Sequence, residues 1–408
     1  MLSPDDAELV AREDRIQALA ELLDPDRLRE RLAAAASPVW GALGAVRVDY
    51  LRYKQGTSLV AGLVADTEAG ERRAYAVAGA APLADKLAKP LARPVRPGDF
   101  APRLGDNLLL VAPLGLDRAL RPGRQVMRAP GDVVPGAVLA VVLRYKPARR
   151  LVARLDGRQG PLAVAKVHAA GEMAPAAAAA RSWSGLGVDL PPVFPSPGPH
   201  VAVVGYLEGQ QPADGTDPAV LGCVGEVLAK VHAAPPFPEA PETDRSRSAV
   251  AAVRAIEAVL PEAQPLAAKA AQAAEEQLVQ SAGQPTLSVV HGDLSVDQVL
   301  WRPRGVALLD LDRARVDRPA ADAASWFAGE AVARRCDPGA DPSTVLGPML
   351  QSYAAVDGRA LEVALRPLAA LALLQRATEP FRLRDPVAGW AEQVRLLVEG
   401  AAVQAGVR

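Results

Sequence analysis

Two stretches of the chain, residues 46–64 and 138–156, alternate apolar and polar positions around a short break. A period of two is typical of a strand with one buried face, so each stretch is predicted to form a strand, a tight turn and a second strand. Both stretches carry the tetrapeptide Leu-Arg-Tyr-Lys, at residues 51–54 and 143–146, an offset of 92 residues. The pattern therefore predicts a repeated β unit.

The two copies of this unit differ at one chemically important position. A third strand is predicted after each hairpin, at residues 74–78 and 163–167, and there Lys166 of the second copy aligns with Val77 of the first. A Lys ammonium resists burial without an anionic partner, which makes Lys166 a candidate for holding an anion. The alternative is a lysine at a strand end whose aliphatic stem is packed while its ammonium reaches water.

From about Gly209 onward the apolar spacing becomes helical. Helices are predicted over 248–260 and 266–281, strand character returns at 287–290 and 306–309, and the remainder is mostly helical. One earlier helix face has apolar residues at three- and four-residue spacing: Val220, Leu221, Val224, Val227, Leu228 and Val231. The chain is thus predicted to be α+β, with a β-rich half followed by an α-rich half.

Composition excludes several classes of protein. A length of 408 residues suggests two or three domains, and 46 Lys and Arg against 47 Asp and Glu disfavour a polybasic nucleic-acid binder. No apolar run approaches the roughly 18 residues of a membrane-spanning helix, and the start at Met1 does not resemble a secretory signal. Cys223 and Cys336 lack CxxC partners, so no disulfide framework or zinc site is indicated. We expect a cytoplasmic protein without nucleic-acid or membrane partners.

Charge is unevenly distributed along the chain. Residues 86–155 contain 14 Lys and Arg against 4 Asp and Glu, a balance of +10, whereas residues 206–290 contain 5 against 11, a balance of -6. Such a molecule is suited to holding an anion near the first region and a cationic group near the second. Two solvated surfaces of unequal charge are the alternative.

The strongest chemical signal is the sequence His291-Gly292-Asp293, which follows a predicted strand. Gln298 lies five residues past Asp293, and a second apolar strand ends in Asp310. Phosphoryl transfer needs one carboxylate to accept the proton of the substrate hydroxyl, and oxygen ligands to hold Mg²⁺ against nucleotide phosphates. The three side chains match these needs.

This stretch resembles the aminoglycoside phosphotransferase family, small-molecule kinases with a protein-kinase-like fold. The family motif is His-Gly-Asp, four residues, Asn, then a strand ending in Asp; Gln298 replaces the Asn, as in the maltokinase group. Residues 316–324 resemble the Gly-Asp-Pro-x-x-Asp-Leu-Ala motif that follows in the family, residues 228–232 its Leu-Ala-x-Leu-His helix, and residues 204–209 its Glu-Tyr-Leu-x-Gly hinge. The resemblance covers about residues 138–330.

The resemblance implies a bilobal protein-kinase-like fold. Residues 1–135 would form a cap-like domain with the lysine-less copy of the hairpin unit, residues 136–208 the kinase N-lobe, and residues 209–408 a helical C-lobe with the catalytic loop.

The resemblance also implies roles for the residues that match the motif. Asp293 would be the catalytic base, and Gln298 with Asp310 would bind Mg²⁺. Lys166 would hold the α- and β-phosphates of ATP or another nucleoside triphosphate. Glu172 would orient that lysine, or else is a solvated helix residue.

Further residues are implied around the nucleotide. The turn that contains Lys146, Arg149 and Arg150 would cover the phosphates; because it lacks Gly, contacts there would come from side chains or from less permissive backbone. Tyr206 and Leu207 would place backbone groups beside the adenine. Three other residues have supporting roles, with His291 and Asp322 bracing the loop and Asp297 stabilising a turn or assisting the metal.

The function implied is ATP-dependent phosphorylation of a hydroxyl on a small molecule, such as a sugar, an amino sugar or an aminoglycoside-like metabolite. The acidic balance of residues 206–290 would suit a cationic acceptor. Two alternatives stay open: a pseudokinase or nucleotide-responsive binding module without turnover, and a kinase acting on Ser or Thr of a peptide. Candidates for the base, the phosphate-binding Lys and the metal-binding Asp are all present, which favours an enzyme.

Overall fold

In the computed structural model the described residues are 1–169, 176–237, 240–281, 286–303, 305–358, 361, 364–384 and 388–407. The helices in these ranges are α1 (Pro4–Arg12), α2 (Leu19–Leu23), α3 (Pro25–Trp40), α4 (Ala84–Ala88), α5 (Arg121–Arg128), α6 (Ala176–Trp183), α7 (Pro218–Ala233), α8 (Arg245–Val259), α9 (Gln264–Gln280), α10 (Ala320–Val332), α11 (Pro342–Val345), α12 (Gly347–Asp357), α13 (Leu365–Arg376), α14 (Glu379–Leu383) and α15 (Trp390–Gln404). The strands are β1 (Leu43–Lys54), β2 (Ser58–Thr67), β3 (Gly70–Gly79), β4 (Arg103–Leu104), β5 (Leu109–Pro113), β6 (Leu139–Lys146), β7 (Arg150–Gly157), β8 (Gly160–His168), β9 (Val193–Gly198), β10 (Val201–Gly205), β11 (Ser288–Val290), β12 (Val299–Arg302), β13 (Gly305–Leu308) and β14 (Arg315–Asp317). The predicted hairpins and helices are confirmed.

The β-rich half contains, within the described ranges, two five-stranded sheets with the same strand order. The first runs β1-β2-β3-β5-β4 and the second β6-β7-β8-β10-β9, so each strand of the second is the counterpart of one five places earlier. The two tetrapeptides end β1 and β6, and three residues separate each of these strands from the next. The repeat found in the sequence is therefore a repeat of the whole sheet.

Strand register confirms the alignment of Lys166 with Val77. In each sheet the arginine of the Leu-Arg-Tyr-Lys tetrapeptide pairs with a valine of the next strand, Val60 in the first copy and Val152 in the second. That valine pairs in turn with Val77 on β3 or with Lys166 on β8. Lys166 thus occupies the position of an apolar residue in the other copy.

Both sheets belong to one compact unit, which comprises Met1–Glu172, Phe194–Val204 and Pro380–Ala391. Its core joins Tyr75 of the first sheet, Leu151 and Val167 of the second, and Val126 of α5. Burial of such aliphatic and aromatic side chains supplies most of the driving force for folding. The domain boundary predicted between residues 135 and 136 falls between two sheets that share this core, and it stays a prediction.

A buried ion pair ties the last segment of this unit to the first helix. Asp6 of α1 is fully buried, and its carboxylate accepts hydrogen bonds from Arg384 at 2.8 and 2.7 Å and from the Trp390 indole at 3.1 Å. The bidentate geometry and the indole N–H satisfy a charge that would otherwise be costly to bury.

The second compact unit comprises Met173–Val193, Gly205–Glu379 and Glu392–Arg408, and it is mostly helical. It also contains two short antiparallel pairs, β11 with β14 and β12 with β13. These pairs carry the His-Gly-Asp loop and Asp310. Among the described helices, none has both the length and the apolar character needed to cross a membrane.

Candidate active site

The loop after β11 depends on a glycine. Gly292 has a φ of +83°, and a Cβ built there would lie 2.2 Å from the carbonyl oxygen of Arg313. Any L-residue with a side chain would be strained at this φ and would clash with that backbone atom. Gly292 therefore lets the chain turn sharply after the buried strand, and it leaves the next residue, Asp293, exposed.

Asp322 of α10 also holds this loop in place. This fully buried carboxylate accepts hydrogen bonds from the backbone N–H groups of His291 at 2.7 Å and Gly292 at 2.8 Å. Burial alone would raise the pKa of Asp322, but its hydrogen bond to His232, the attraction of both histidines and the backbone N–H of Gly292 outweigh burial and lower that pKa. The carboxylate thus braces the loop, as predicted for Asp322.

His291 and His232 complete the support of the loop. The Nε2–H of His291 donates to the carbonyl of Leu309 at 2.7 Å, next to Asp310. His232 is buried, lies 3.1 Å from Asp322 through Nε2 and 3.3 Å from the Tyr353 hydroxyl through Nδ1. The sequence showed His232 only as a match to a family helix, so its contact with Asp322 was not predicted.

Asp293, the predicted base, is half exposed and contacts one cation. Its Oδ1 accepts a hydrogen bond from Nη2 of Arg376 at 2.9 Å; the side chain of Asp293 is 52% exposed and that of Arg376 only 14%. Arg376 also contacts Glu379 at 3.3 Å and the hydroxyl of Ser325 at 3.4 Å. Burial would lower the pKa of Arg376, but the charges of Glu379, Asp293 and Asp297 raise it. The Arg376 guanidinium is therefore positively charged where it contacts Asp293.

Sequence reasoning missed Arg376. It ends α13 and is separated from Asp293 by 83 residues, and no motif connects the two positions.

The β12–β13 hairpin brings Gln298 and Asp310 together. Val299 pairs with Leu308, and one step further along the hairpin the N–H of Leu309 donates to the carbonyl of Gln298 at 2.8 Å. Asp310 follows with φ +56° and ψ +55°, a left-handed conformation that costs a non-glycine residue about 1–3 kcal/mol. Both predicted metal ligands therefore lie at the same end of one hairpin.

The side-chain amide of Gln298 is oriented by its neighbour. Its Nε2 donates to Asp297 at 3.2 Å, which turns the amide oxygen away from that carboxylate. Asp297 also accepts a hydrogen bond from the hydroxyl of Ser295, so it stabilises the turn, one of the two predicted roles. Across the described part of the chain, no group of three or more His, Cys, Asp or Glu side chains could hold a metal ion by itself.

Lys166 lies in the first unit, buried within β8. Its strand neighbour Val167 and the facing Leu151 belong to the apolar core. Because successive side chains of a strand point to opposite faces, Lys166 projects from the sheet face opposite that core.

The turn between β6 and β7 is also in the first unit. The N–H of Arg149 donates to the carbonyl of Lys146 at 3.0 Å and closes the turn, after which Arg150 begins β7. Ala148 has a φ of +56°, and its N–H donates to Asp117 at 2.7 Å. The backbone at the centre of the turn therefore has a partner from an earlier part of the chain.

The remaining predicted residues are near the end of β10 or outside the described ranges. Tyr206 and Leu207 directly follow this strand, with Tyr206 exposed and Leu207 half-buried. Glu172 lies outside the described residues.

These features place the chain among proteins with the kinase-like fold, as predicted. A choline/ethanolamine kinase family protein from Mesorhizobium loti aligns at a TM-score of 0.51 and 15% identity, over 70% of this chain and 97% of that chain. An amicoumacin kinase solved with AMP-PNP, Ca²⁺ and Ami aligns at a TM-score of 0.51 and 12% identity, over 69% of this chain and 92% of that chain.

Sequence comparison gives a family match for part of the chain. The model of APH, the phosphotransferase enzyme family, matches residues 133–334, so this segment is similar to that family. Comparison with curated proteins gives no match. The matched segment contains Lys166, Asp293, Gln298 and Asp310. The match supports a small-molecule phosphotransferase, and the resemblance seen in the sequence is confirmed.

Proposed function

We propose that the protein is an ATP-dependent kinase that transfers the γ-phosphate to a hydroxyl of a small molecule. The observation that carries this proposal is the position of Asp293, a half-exposed carboxylate on a loop braced by Asp322. Arg376 binds one oxygen of Asp293, and no donor among the described residues is bonded to the other. That second oxygen is suited to accept the proton of the acceptor hydroxyl.

Gln298 and Asp310 would hold Mg²⁺ against the phosphates. Carboxylate and amide oxygens are the ligands that this ion prefers, and it is usually bound by one or two carboxylates together with phosphate oxygens and water. The absence of a larger ligand cluster among the described residues fits such a site, because the nucleotide supplies the other oxygens. The bound ion would neutralise charge on the transferred phosphoryl group.

The other predicted residues would bind ATP. Lys166 would contact the α- and β-phosphates, and the side chains of Lys146, Arg149 and Arg150 would cover them. Backbone groups at Tyr206 and Leu207 would read the adenine. The support for these roles is the family match over residues 133–334 together with the position of Lys166 within the β8 strand.

The acceptor proposed is a sugar, an amino sugar or an aminoglycoside-like metabolite. The solved amicoumacin kinase was bound to a small molecule, Ami, which is consistent with a small-molecule acceptor. The excess of acidic residues over 206–290 favours an acceptor that carries a positive charge.

The proposal is tested by measuring ATP consumption with panels of sugars, amino sugars and aminoglycosides in the presence of Mg²⁺. On the acceptor found, Asp293→Asn should lower turnover by about 10²- to 10⁴-fold, because general base catalysis contributes that much. Binding of ATP, measured by calorimetry without acceptor, should stay unchanged. Asp214→Asn removes a charge from an exposed turn and serves as the control, with wild-type turnover expected. Near-normal turnover of Asp293→Asn would refute the assignment of the base.

A further inference from the structure

A single carboxylate oxygen holds the turn of the first β unit. Oε2 of Glu13 accepts a hydrogen bond from the Tyr53 hydroxyl at 2.7 Å and another from the N–H of Gly56 at 2.7 Å. Tyr53 belongs to the Leu-Arg-Tyr-Lys tetrapeptide, and Gly56 is the left-handed residue of the turn, with φ +61°. We use the term turn clamp for a carboxylate oxygen that accepts both of these hydrogen bonds.

The second β unit has the same turn clamp. Oδ2 of Asp117 accepts from the Tyr145 hydroxyl at 3.0 Å and from the N–H of Ala148 at 2.7 Å, and Oδ1 accepts from the N–H of Ala119 at 3.0 Å. Tyr145 and Ala148 stand 92 residues after the tyrosine and the left-handed glycine of the first copy. The carboxylate comes in both copies from a segment that precedes the sheet, 40 residues before the tyrosine in the first and 28 residues in the second.

The turn clamp has a chemical consequence in the second copy. The N–H of Ala148, at the centre of the turn proposed to cover the phosphates, is already bonded to a buried carboxylate. A phosphate oxygen would have to displace Asp117 to reach this N–H, and it would meet a negative charge there. Phosphate contacts from the turn therefore fall to the side chains of Lys146, Arg149 and Arg150.

The clamp also maintains a strained conformation. Ala148 adopts φ +56°, a left-handed conformation that is energetically costly for a residue with a Cβ. In the first copy a glycine occupies this position, so the backbone there has no such cost. Asp117 therefore stabilises a strained backbone conformation, whereas Glu13 stabilises an unstrained one through the same two kinds of hydrogen bond.

We propose that Asp117 is a positioning residue for nucleotide binding, which fixes the turn at residues 146–150 so that its cationic side chains meet the phosphates. This inference rests on the proposed kinase function. Glu13 holds an equivalent turn in a sheet where Val77 replaces the phosphate-binding lysine, so its clamp serves folding alone. The chain thereby contains its own control for the loss of a turn clamp.

The experiment compares the two clamps in the full-length protein. The dissociation constant for Mg·ATP is measured without acceptor in wild type, D117A, D117N, E13A and E13Q, and thermal unfolding of each variant is followed by circular dichroism. D117A should raise the constant about tenfold, since hydrogen bonds to a charged group are lost. D117N should raise it about threefold, because its neutral amide oxygen accepts more weakly. E13A and E13Q should stay within about twofold of wild type while unfolding at a lower temperature.

Each outcome separates the inference from its alternatives. Asp117 variants that bind ATP as tightly as wild type, or more tightly, overturn it, and tighter binding would indicate simple charge repulsion. Equal weakening by the Glu13 variants also overturns it, since the clamp would then act through overall stability. If D117A does not fold, the pair D117N and E13Q decides by the same criteria. A wild-type protein that binds no nucleotide would refute the proposed function instead.

Discussion

At the scale of single residues, the oxygens of Asp293 have different surroundings. Arg376 contacts Oδ1, and no hydrogen bond from a described residue reaches Oδ2, while the side chain as a whole is half exposed. The hydrogen bond from this guanidinium restricts rotation of the Asp293 carboxylate. Because Arg376 is itself held by Glu379 and Ser325, its own position is fixed. We infer that Arg376 orients Asp293 toward the acceptor.

Replacement of Arg376 tests this orientation. Arg376→Ala should lower turnover by about 10²-fold, since a misplacement of about 1 Å at a reacting group has an effect of that size. Binding of ATP should change little. Arg366→Ala alters an exposed arginine of the same helix and should leave turnover unchanged. Equal turnover of the Arg376 and Arg366 variants would contradict the role.

The proposed role of Gln298 as a metal ligand can also be tested by single substitutions. Gln298→Ala removes an oxygen ligand, so it should raise the Mg²⁺ concentration needed for half-maximal turnover. Gln298→Asn should also impair turnover, because Mg²⁺ demands ligand distances of about 2.0 to 2.1 Å and the shorter side chain moves the oxygen. The measurement is turnover against Mg²⁺ concentration. If Gln298→Ala keeps full activity with an unchanged Mg²⁺ requirement, Gln298 is not a metal ligand and Asp297 becomes the candidate.

At the scale of elements, the loop after β11 is determined by backbone geometry. Gly292 combines a positive φ with a close approach, since a Cβ on this residue would stand 2.2 Å from the Arg313 carbonyl oxygen. Gly305, the first residue of β13, has a φ of +117°, but a Cβ there would meet nothing within 4 Å. A comparison of the two positions therefore distinguishes the cost of backbone strain from the cost of a steric clash.

Alanine at these two positions should have unequal effects. Gly305→Ala should lower the free energy of unfolding by about 1–2 kcal/mol from backbone strain alone. Gly292→Ala adds a collision with backbone and should cost about 3 kcal/mol or more, and it should also reduce turnover because Asp293 is displaced. Urea unfolding with both variants is the measurement. If both variants are destabilised equally, the clash between a Cβ at residue 292 and the Arg313 carbonyl oxygen is relieved without an energetic cost.

The elements also show how far sequence reasoning reaches. Alternation predicted both hairpins, and the repeat predicted that Lys166 aligns with Val77, because period and register are local properties. The motif predicted that Gln298 and Asp310 lie at neighbouring loop and strand ends, and a short hairpin joins these two positions. Arg376 and the turn clamps could not be predicted, because they join residues that only the tertiary fold brings together.

At the scale of the whole molecule, the first unit is assembled from three separate segments of the chain. The last of these, Pro380–Ala391, is attached through the ion pair between Asp6 and Arg384. Removal of one partner from a buried pair leaves an uncompensated charge, which is more costly than the pair itself.

Asp6→Ala should therefore lower the free energy of unfolding by about 3–5 kcal/mol. The adjacent Asp5 is half-buried and accepts a hydrogen bond from the N–H of Ala391 at 3.1 Å, so Asp5→Ala should cost only about 1 kcal/mol. Denaturant unfolding of both variants at neutral pH provides the comparison. A loss with Asp6→Ala no larger than that with Asp5→Ala would argue against a structural role for the pair.

The ion pair between Asp6 and Arg384 also sets an order of events during synthesis. The two residues are 378 positions apart, so at about 5–20 residues per second the ribosome delivers Arg384 roughly 20 to 75 seconds after Asp6. Until then α1 lacks the partner of its buried carboxylate, although both sheets have already been made. Because Pro380–Ala391 is the last segment of this unit, the unit stays incomplete after both of its sheets have been synthesised.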